Sequence, residues 1–320
     1  MTAATVLLGL SLLLPTPPQD QELPAETALT APKYDDEWYL KASDGKCVLF
    51  VREYGRGTPV IVLHGGWGAE HSYMLDAIWP HRDERRFVLY DQRGSLRSPA
   101  AADAITLERH IADIEDLRKE LGLEKVTLLA HSMGTFLGMS YASEHPERVE
   151  RLILTAAVPP VFEEDVSPNE IWGENARFLM QRPEVQAILE SRGLTQPRLS
   201  QREETHAWRI RFASVNLAHP ERWEQLRGGR IFYSQEAADA VLPSVPRTWN
   251  FTELFARIPI HVLIGDEDYV DPAAEVWYAS DPGETQLRIE VLEEAGHALW
   301  IDRPRGFRDA LRRALVARHP

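Results

Sequence analysis

A serine at a strand-to-helix junction, a carboxylate after a later strand and a histidine after the next are residue types that cleave acyl bonds without a cofactor. Ser132 lies in Ala130-His131-Ser132-Met133-Gly134, between the apolar run VTLLAH and the helix-like TFLGMSYASEH. In the G-x-S-x-G pattern the serine is forced onto a sharp turn, and small residues on either side let the strand and helix backbones approach. Ala130 keeps the first of those positions small. Taken alone, the same placement also suits a plain helix N-cap. Partners separate the two readings. Asp268, in LIGDEDYVDP, and His297, in EEAGHALWIDRP, each follow a predicted strand, and the chain order is Ser, Asp, His. A serine hydroxyl is weak until a histidine accepts its proton, and that histidine needs a carboxylate to fix its tautomer. Asp266, Glu267 and Asp271 are neighbours of the acid, but Asp268, just past the turn at Gly265, is the expected one. His131 is next to the serine, where side chains at such a turn diverge, so a supporting role is expected for it.

A negative oxygen developing on the substrate needs backbone N–H donors aimed at it. Met133, at the start of the helix, should supply one. Gly66 of HGGWG, after the strand VIVL, should supply the other, with Trp67 as a wall of the pocket. An ordinary turn is the competing reading of HGGWG. The loop DQRGSLRSP, Asp91 to Pro99, carries two arginines that suit either a charged substrate or an internal ion-pair network. No P-loop lysine motif, G-x-G-x-x-G fingerprint or zinc-ligand spacing occurs, so neither an organic cofactor nor a metal is expected.

The elements that must hold these residues alternate. CVLFVREY, PVIVLHGG, RFVLYDQRG, KVTLLAH, VERLILTAA, IPIHVLIGDED and QLRIEVLEEAGH read as strands, several as the continuous apolar runs of interior parallel strands. Leu107, Ile111, Ile114, Leu117 and Leu121 recur at helical spacing, with Gly122 as the stop. The pattern predicts a mostly parallel, doubly wound α/β sheet. From about 159 to 249 the alternation ceases, and this stretch, with Trp172, Trp208, Trp223 and Trp249, reads as an inserted helical cap. The core is then 34–158 and 250–320.

Of 320 residues, 35 are Lys or Arg and 49 Asp or Glu, a formal charge of −14 that repels phosphate backbones, so nucleic acid is not an expected partner. The single cysteine, Cys47, excludes an internal disulfide. Residues 5–14, TVLLGLSLLL, resemble the apolar part of an export signal and are followed by a Pro-rich linker, giving a distinct segment 1–33. No basic residue precedes this run and it is too short for a stable membrane span, which leaves export and a cytoplasmic location both open. No motif in the chain encodes an oligomeric state.

Together these segments resemble the α/β-hydrolase superfamily, and HGGWG, DQRGSLRS, AHSMG, GDEDYVDP and AGH are similar to its prolyl aminopeptidase (proline iminopeptidase) branch. The resemblance spans about 45–320. It implies that Ser132, Asp268 and His297 form the triad and that the HGG loop binds the oxyanion. The chain departs from the branch in having Trp67 where proline is common, Leu96 where a second glycine is usual and Ala130 for the first elbow glycine. The resemblance also implies cap carboxylates that bind a free amino terminus, with Glu163, Glu164, Glu170, Glu174, Glu203, Glu204 and Glu224 as candidates. The expected function is therefore a serine hydrolase releasing an N-terminal residue, proline-type, from small peptides. An esterase, lactonase or amidase on small acyl substrates is the alternative, and a lyase or a non-catalytic binding protein with this fold carries less weight.

Overall fold

Continuous runs of β-branched and aromatic residues build the centre of the molecule. The computed structural model describes residues 36–163, 168–226, 233–270, 274–281, 283 and 285–316, so the N-terminal segment 1–33, Glu164 and Asp271 lie outside the described residues. The strands are β1 (Asp36–Lys41), β2 (Val48–Gly55), β3 (Pro59–Leu63), β4 (Arg86–Tyr90), β5 (Val126–His131), β6 (Val149–Thr155), β7 (Val161–Phe162), β8 (Trp249–Asn250), β9 (Ile260–Gly265) and β10 (Leu287–Leu292). All but β7 and β8 form one sheet in the order β1-β2-β4-β3-β5-β6-β9-β10. The β1–β2 and β2–β4 pairs are antiparallel, and every later pair is parallel.

The helices are α1 (Leu75–Ile78), α2 (Leu107–Glu120), α3 (Met133–Glu144), α4 (Pro168–Met180), α5 (Pro183–Ser191), α6 (Gln201–Asn216), α7 (Gln235–Val241), α8 (Glu275–Ser280), α9 (Leu299–Asp302) and α10 (Pro304–Val316). Because strand side chains alternate between faces, β3 and β4 feed two cores. Ile61, Leu63, Val88 and Tyr90 pack with Ile111, Ile114 and Leu117 of α2 and Phe136 of α3. Val60, Val62, Phe87 and Leu89 pack with Phe307 and Leu311 of α10 on the opposite face. This is the doubly wound architecture read from the sequence. The α2 boundaries also follow their local chemistry, with Thr106 capping the Arg109 N–H at 3.3 Å and Gly122 in the left-handed region at φ 64°.

Three elements differ from expectation. The charged, alternating DEWYLK forms edge strand β1, whose pairing to β2 is not visible in a short amphipathic run. The last strand stops at Leu292 instead of running on to His297, because Glu294 turns at φ 55°. The stretch from 159 to 249, expected without a clear strand, holds the antiparallel pair β7–β8, which joins its entry and exit. Between these ends, α5 and α6 share a small centre of their own from Val185, Leu189, Leu194, Ala207 and Ile210, while α4 and α7 send Trp172, Ala237, Ala238 and Val241 into the main core. Residues 34–320 nevertheless make one compact unit.

The register places the ends of β3 and β5 level, with Leu63 opposite Ala130, and those of β5 and β6 level, with His131 opposite Thr155. Loops leaving the carboxyl ends of β3, β5, β9 and β10 therefore open on one edge, where doubly wound sheets bind ligands.

Candidate active site

Ser132 follows β5 directly and takes φ 54° and ψ −128°, a conformation that costs a non-glycine residue energy. It occupies the N-cap position of α3, yet its side chain accepts no bond from the helix, so the plain-cap reading fails. The strained turn is held from outside: the Ser132 N–H donates to Thr155 O at 3.1 Å, while Thr135 returns both its N–H and hydroxyl to Ser132 O. Gly134 has to be small, since a Cβ there would meet Leu63 O at 2.5 Å and His64 O at 2.7 Å.

His297 and Asp268 arrive at this turn from β10 and β9. His297 Nδ1 lies 2.9 and 3.0 Å from the two carboxylate oxygens of Asp268, and both side chains are buried. The Val270 N–H also donates to Asp268 Oδ1 at 2.9 Å, which fixes the carboxylate. With Nδ1 protonated toward Asp268, His297 Nε2 keeps its lone pair. The ring is gripped between Tyr269 and His131, each at 4.7 Å between centroids. Asp266 and Glu267 do not contact the histidine: Asp266 accepts from the Ala295 N–H at 3.3 Å, and Glu267 is exposed.

His131 has both ring nitrogens engaged, Nδ1 with the Tyr73 hydroxyl at 2.8 Å and Nε2 with His297 O at 3.0 Å. Burial, aided by the nearby His297, holds its pKa well below the usual imidazole range, so it stays neutral. Neither ring nitrogen is left to take a proton from Ser132.

Two cavities, of about 410 and 430 Å³, meet over Ser132 and share Gly66, Tyr233, Gln235 and Tyr269. The first is lined by His297, Tyr73, Trp208, Phe212, Asn216 and Trp300; the second by Trp67, Met133, Val158, Trp172, Ala176 and Leu242. Trp67 is thus a pocket wall, and Gly66 and Met133 border the nucleophile position. Gly66 takes φ 69°, a left-handed turn that suits glycine. Trp223 and Trp249 instead pack in cores, Trp249 against Phe136 and Phe162 at 5.0 Å. No Asp, Glu, Lys or Arg is among the described residues lining either cavity. Of the acidic candidates, Glu203 caps α6 through Ser200 and Glu224 pairs with Arg192. Glu163, Glu170, Glu174 and Glu204 are likewise not among the lining residues.

The arginines of DQRGSLRSP form an ion-pair network. Arg93 is buried and forks onto Asp113 at 2.7 and 2.5 Å, with Asp44 at 3.0 Å, while Arg97 reaches Asp91 at 3.1 Å and Glu70 at 3.3 Å. Glu70, His71 and Asp91 could surround a cation, but Arg97 already pairs with both carboxylates and Ser72 and His71 occupy their oxygens. Tyr73, Tyr233, Gln235, Tyr269 and Trp300 are site residues the sequence reading did not assign. Tyr269 and Trp300 stand next to the motif residues Asp268 and His297, which was their only signal.

Comparison with known proteins places the chain among proteins of this fold. The family model described as alpha/beta hydrolase fold matches residues 58–304. A proline iminopeptidase of Lactobacillus helveticus is 27% identical over 272 residues, covering 79% of this chain and 88% of that protein. One from Heyndrickxia coagulans is 36% identical over 121 residues, 37% of this chain and 42% of its own length. Among solved structures, a proline iminopeptidase-related protein from Thermus thermophilus superposes with TM-score 0.63 at 25% identity, over 88% of this chain and 97% of that one. An esterase from Exiguobacterium antarcticum has the same fold, with TM-score 0.63 at 24% identity over 87% and 99%. Among the described residues, no helix is long and apolar enough to cross a membrane. With its sheet order, its serine turn and a family match across most of its length, the chain belongs to the alpha/beta hydrolase fold family.

Proposed function

We propose that the protein is a serine hydrolase that forms an acyl-enzyme on Ser132 and acts on small, uncharged acyl substrates, esters and amides. One observation carries this reading: a serine on a strained turn shares a cavity with a histidine clamped by a buried carboxylate. His297 Nε2 takes the Ser132 proton as Oγ attacks the carbonyl carbon, and Asp268 stabilises the imidazolium that results. The N–H groups of Gly66 and Met133 receive the oxyanion, each contributing a factor on the order of 10² to 10³ in rate. The imidazolium then protonates the leaving atom, and water releases the acyl group by the reverse path. The helical segment 159–249 acts as a cap that selects substrates.

The absence of a carboxylate among the described lining residues supports an uncharged substrate, since an ammonium in an apolar pocket needs an anionic partner. A second reading, release of an N-terminal residue of proline type, is favoured by the likeness to proline iminopeptidases. Fluorophosphonate labelling of the native protein that is lost in Ser132→Ala is the result expected; labelling that persists in that variant would refute the mechanism. Turnover of short p-nitrophenyl esters against prolyl and alanyl naphthylamides separates the two substrate readings. If the second holds, acylating the substrate amine abolishes activity.

A further inference from the structure

The two cavities over Ser132 are chemically unequal in a way the reaction can use. Protonation of the leaving atom by His297 requires that atom to depart on the imidazole side. The first cavity is lined by His297, Ala298 and Trp300, whereas the second is lined by Met133 and Trp67 and does not include His297. We infer that the first cavity is the leaving-group pocket and the second the acyl pocket, and that the first is built for a neutral aromatic leaving group. This assignment rests on the acyl-enzyme mechanism proposed above.

The part of this pocket's wall that comes from α6 carries the argument. Trp208 and Phe212 are one helical turn apart on α6 and lie nearly parallel, with ring centroids 5.0 Å apart at 16°. Trp208 is 44% exposed. A tryptophan turned outward beside a core-facing alanine, Ala207, is not there to fill the small centre of the helical segment, and it borders the cavity. An aromatic shelf of this kind binds flat apolar groups by stacking. The shelf is also fixed relative to the base. At the end of α6, Asn216 accepts from the Ala298 N–H through its main-chain oxygen at 2.7 Å, and its side chain donates to Phe212 O at 2.7 Å. Asp302 accepts from the N–H groups of Ala218 and Gly296, each at 2.9 Å, so the chain after α6 and the His297 loop share one carboxylate. The end of α6 that carries this shelf is thus tied to the His297 loop, as a leaving-group pocket requires. With no Asp, Glu, Lys or Arg among its described lining residues, the pocket favours an aryl or arylalkyl group over a charged one.

The acyl pocket offers a matched control. At Gly173 in α4, which borders the second cavity, an added Cβ meets nothing within 4 Å, so a side chain begins there without a clash and Gly173→Leu is the substitution aimed at that cavity. The test compares 2-phenylethyl acetate with ethyl acetate, which share an acyl group, and prolyl 2-naphthylamide with prolinamide. Because kcat/KM reads acylation and intrinsic leaving-group reactivity is the same for every variant, the change of the ratio between wild type and variant reports the leaving-group pocket. Trp208→Ala should lower the aryl-to-small ratio about tenfold, and Trp208→Phe should restore most of it. Gly173→Leu should leave the ratio in place and instead penalise hexanoyl relative to acetyl esters. An aryl-to-small ratio that is unchanged in Trp208→Ala, or that moves in Gly173→Leu, overturns this assignment while leaving the serine mechanism standing. Failure of Ser132-dependent turnover with every substrate overturns both.

Discussion

The imidazole of His131 is joined to the main chain of His297 by a 3.0 Å hydrogen bond from Nε2 to the carbonyl oxygen. That fixes the proton on Nε2, leaving Nδ1 to accept from the Tyr73 hydroxyl at 2.8 Å, and the hydroxyl in turn accepts from the Gly65 N–H at 2.5 Å. One tautomer satisfies the whole line. It ties the glycine-rich loop after β3 to the histidine loop after β10, behind the nucleophile.

Tyr73→Phe should therefore loosen both loops at once. It leaves the Gly65 N–H without a partner, a cost of about 1–3 kcal/mol when buried. We expect kcat to fall about tenfold with little change in KM, since the lost contacts orient the reacting groups without touching most of the substrate. A change confined to thermal stability, with kcat intact, would show that the line is structural only.

Of the described carboxylates Asp266, Glu267 and Asp268, the contact to His297 belongs to Asp268. Asp268→Asn should reduce kcat by about 10⁴, the scale of that change at Ser-His-Asp sites, because the amide can donate to Nδ1 and select the wrong tautomer. Glu267→Ala, at an exposed position, should stay within about threefold of wild type. Steady-state kinetics on one ester decides it. Equal losses would mean the wrong carboxylate has been identified.

Much of this arrangement is legible in the sequence because its members follow strands, Ser132 directly, Asp268 three residues past β9 and His297 five past β10. Ser132, Asp268 and His297 are found by that rule, and Gly66 and Trp67 with them. What fails is any inference that needs to know which side of a helix faces the site. Trp208, Phe212 and Asn216 recur at four-residue spacing, a pattern usually read as core, yet Trp208 is 44% exposed and borders the cavity. The true core face of α6 is Ala207, Ile210 and Ala213, too small and mixed to stand out. Likewise, the resemblance implies an ammonium site among the glutamates of 159–249, whereas the described ones cap helices, pair with arginines or otherwise stay out of the cavities' linings. Composition cannot tell a solvated carboxylate from a buried one. Edge strand β1 is missed for a related reason, since its partner β2 supplies the order its own residues do not.

Arg93 is the buried pivot of the loop after β4. Its guanidinium forks onto Asp113 and also donates to Ala104 O at 2.8 Å. Arg93→Leu would strand the buried Asp113 carboxylate, a loss of about 3–5 kcal/mol. A midpoint shift in urea with unchanged slope would measure it. A shift below about 1 kcal/mol would indicate that the pair contributes little.

The clearest acid-range signature lies far from the cavities, at Glu115. Burial opposes its charge, but hydrogen bonds from Arg118, Arg148 and Tyr141 outweigh that and lower its pKa from 4.5 to about 2. The contacts are 2.9 and 2.7 Å to Arg118, 2.6 Å to Arg148 and 3.1 Å to the Tyr141 hydroxyl, and they tie α2 to α3 and to the turn before β6. A carboxyl that is more acidic when folded binds its proton more readily in the unfolded chain. Its stabilisation is thus complete above the unfolded value and disappears as pH falls from 4.5 toward 2. Glu115→Gln keeps the side-chain volume and removes the charge, so it should cost roughly 1–3 kcal/mol near neutral pH. Stability curves of the two proteins should converge on acidification through that window. Curves that stay parallel from neutral to acidic pH would show that the charge of Glu115 contributes nothing and that only its hydrogen-bonding shape matters.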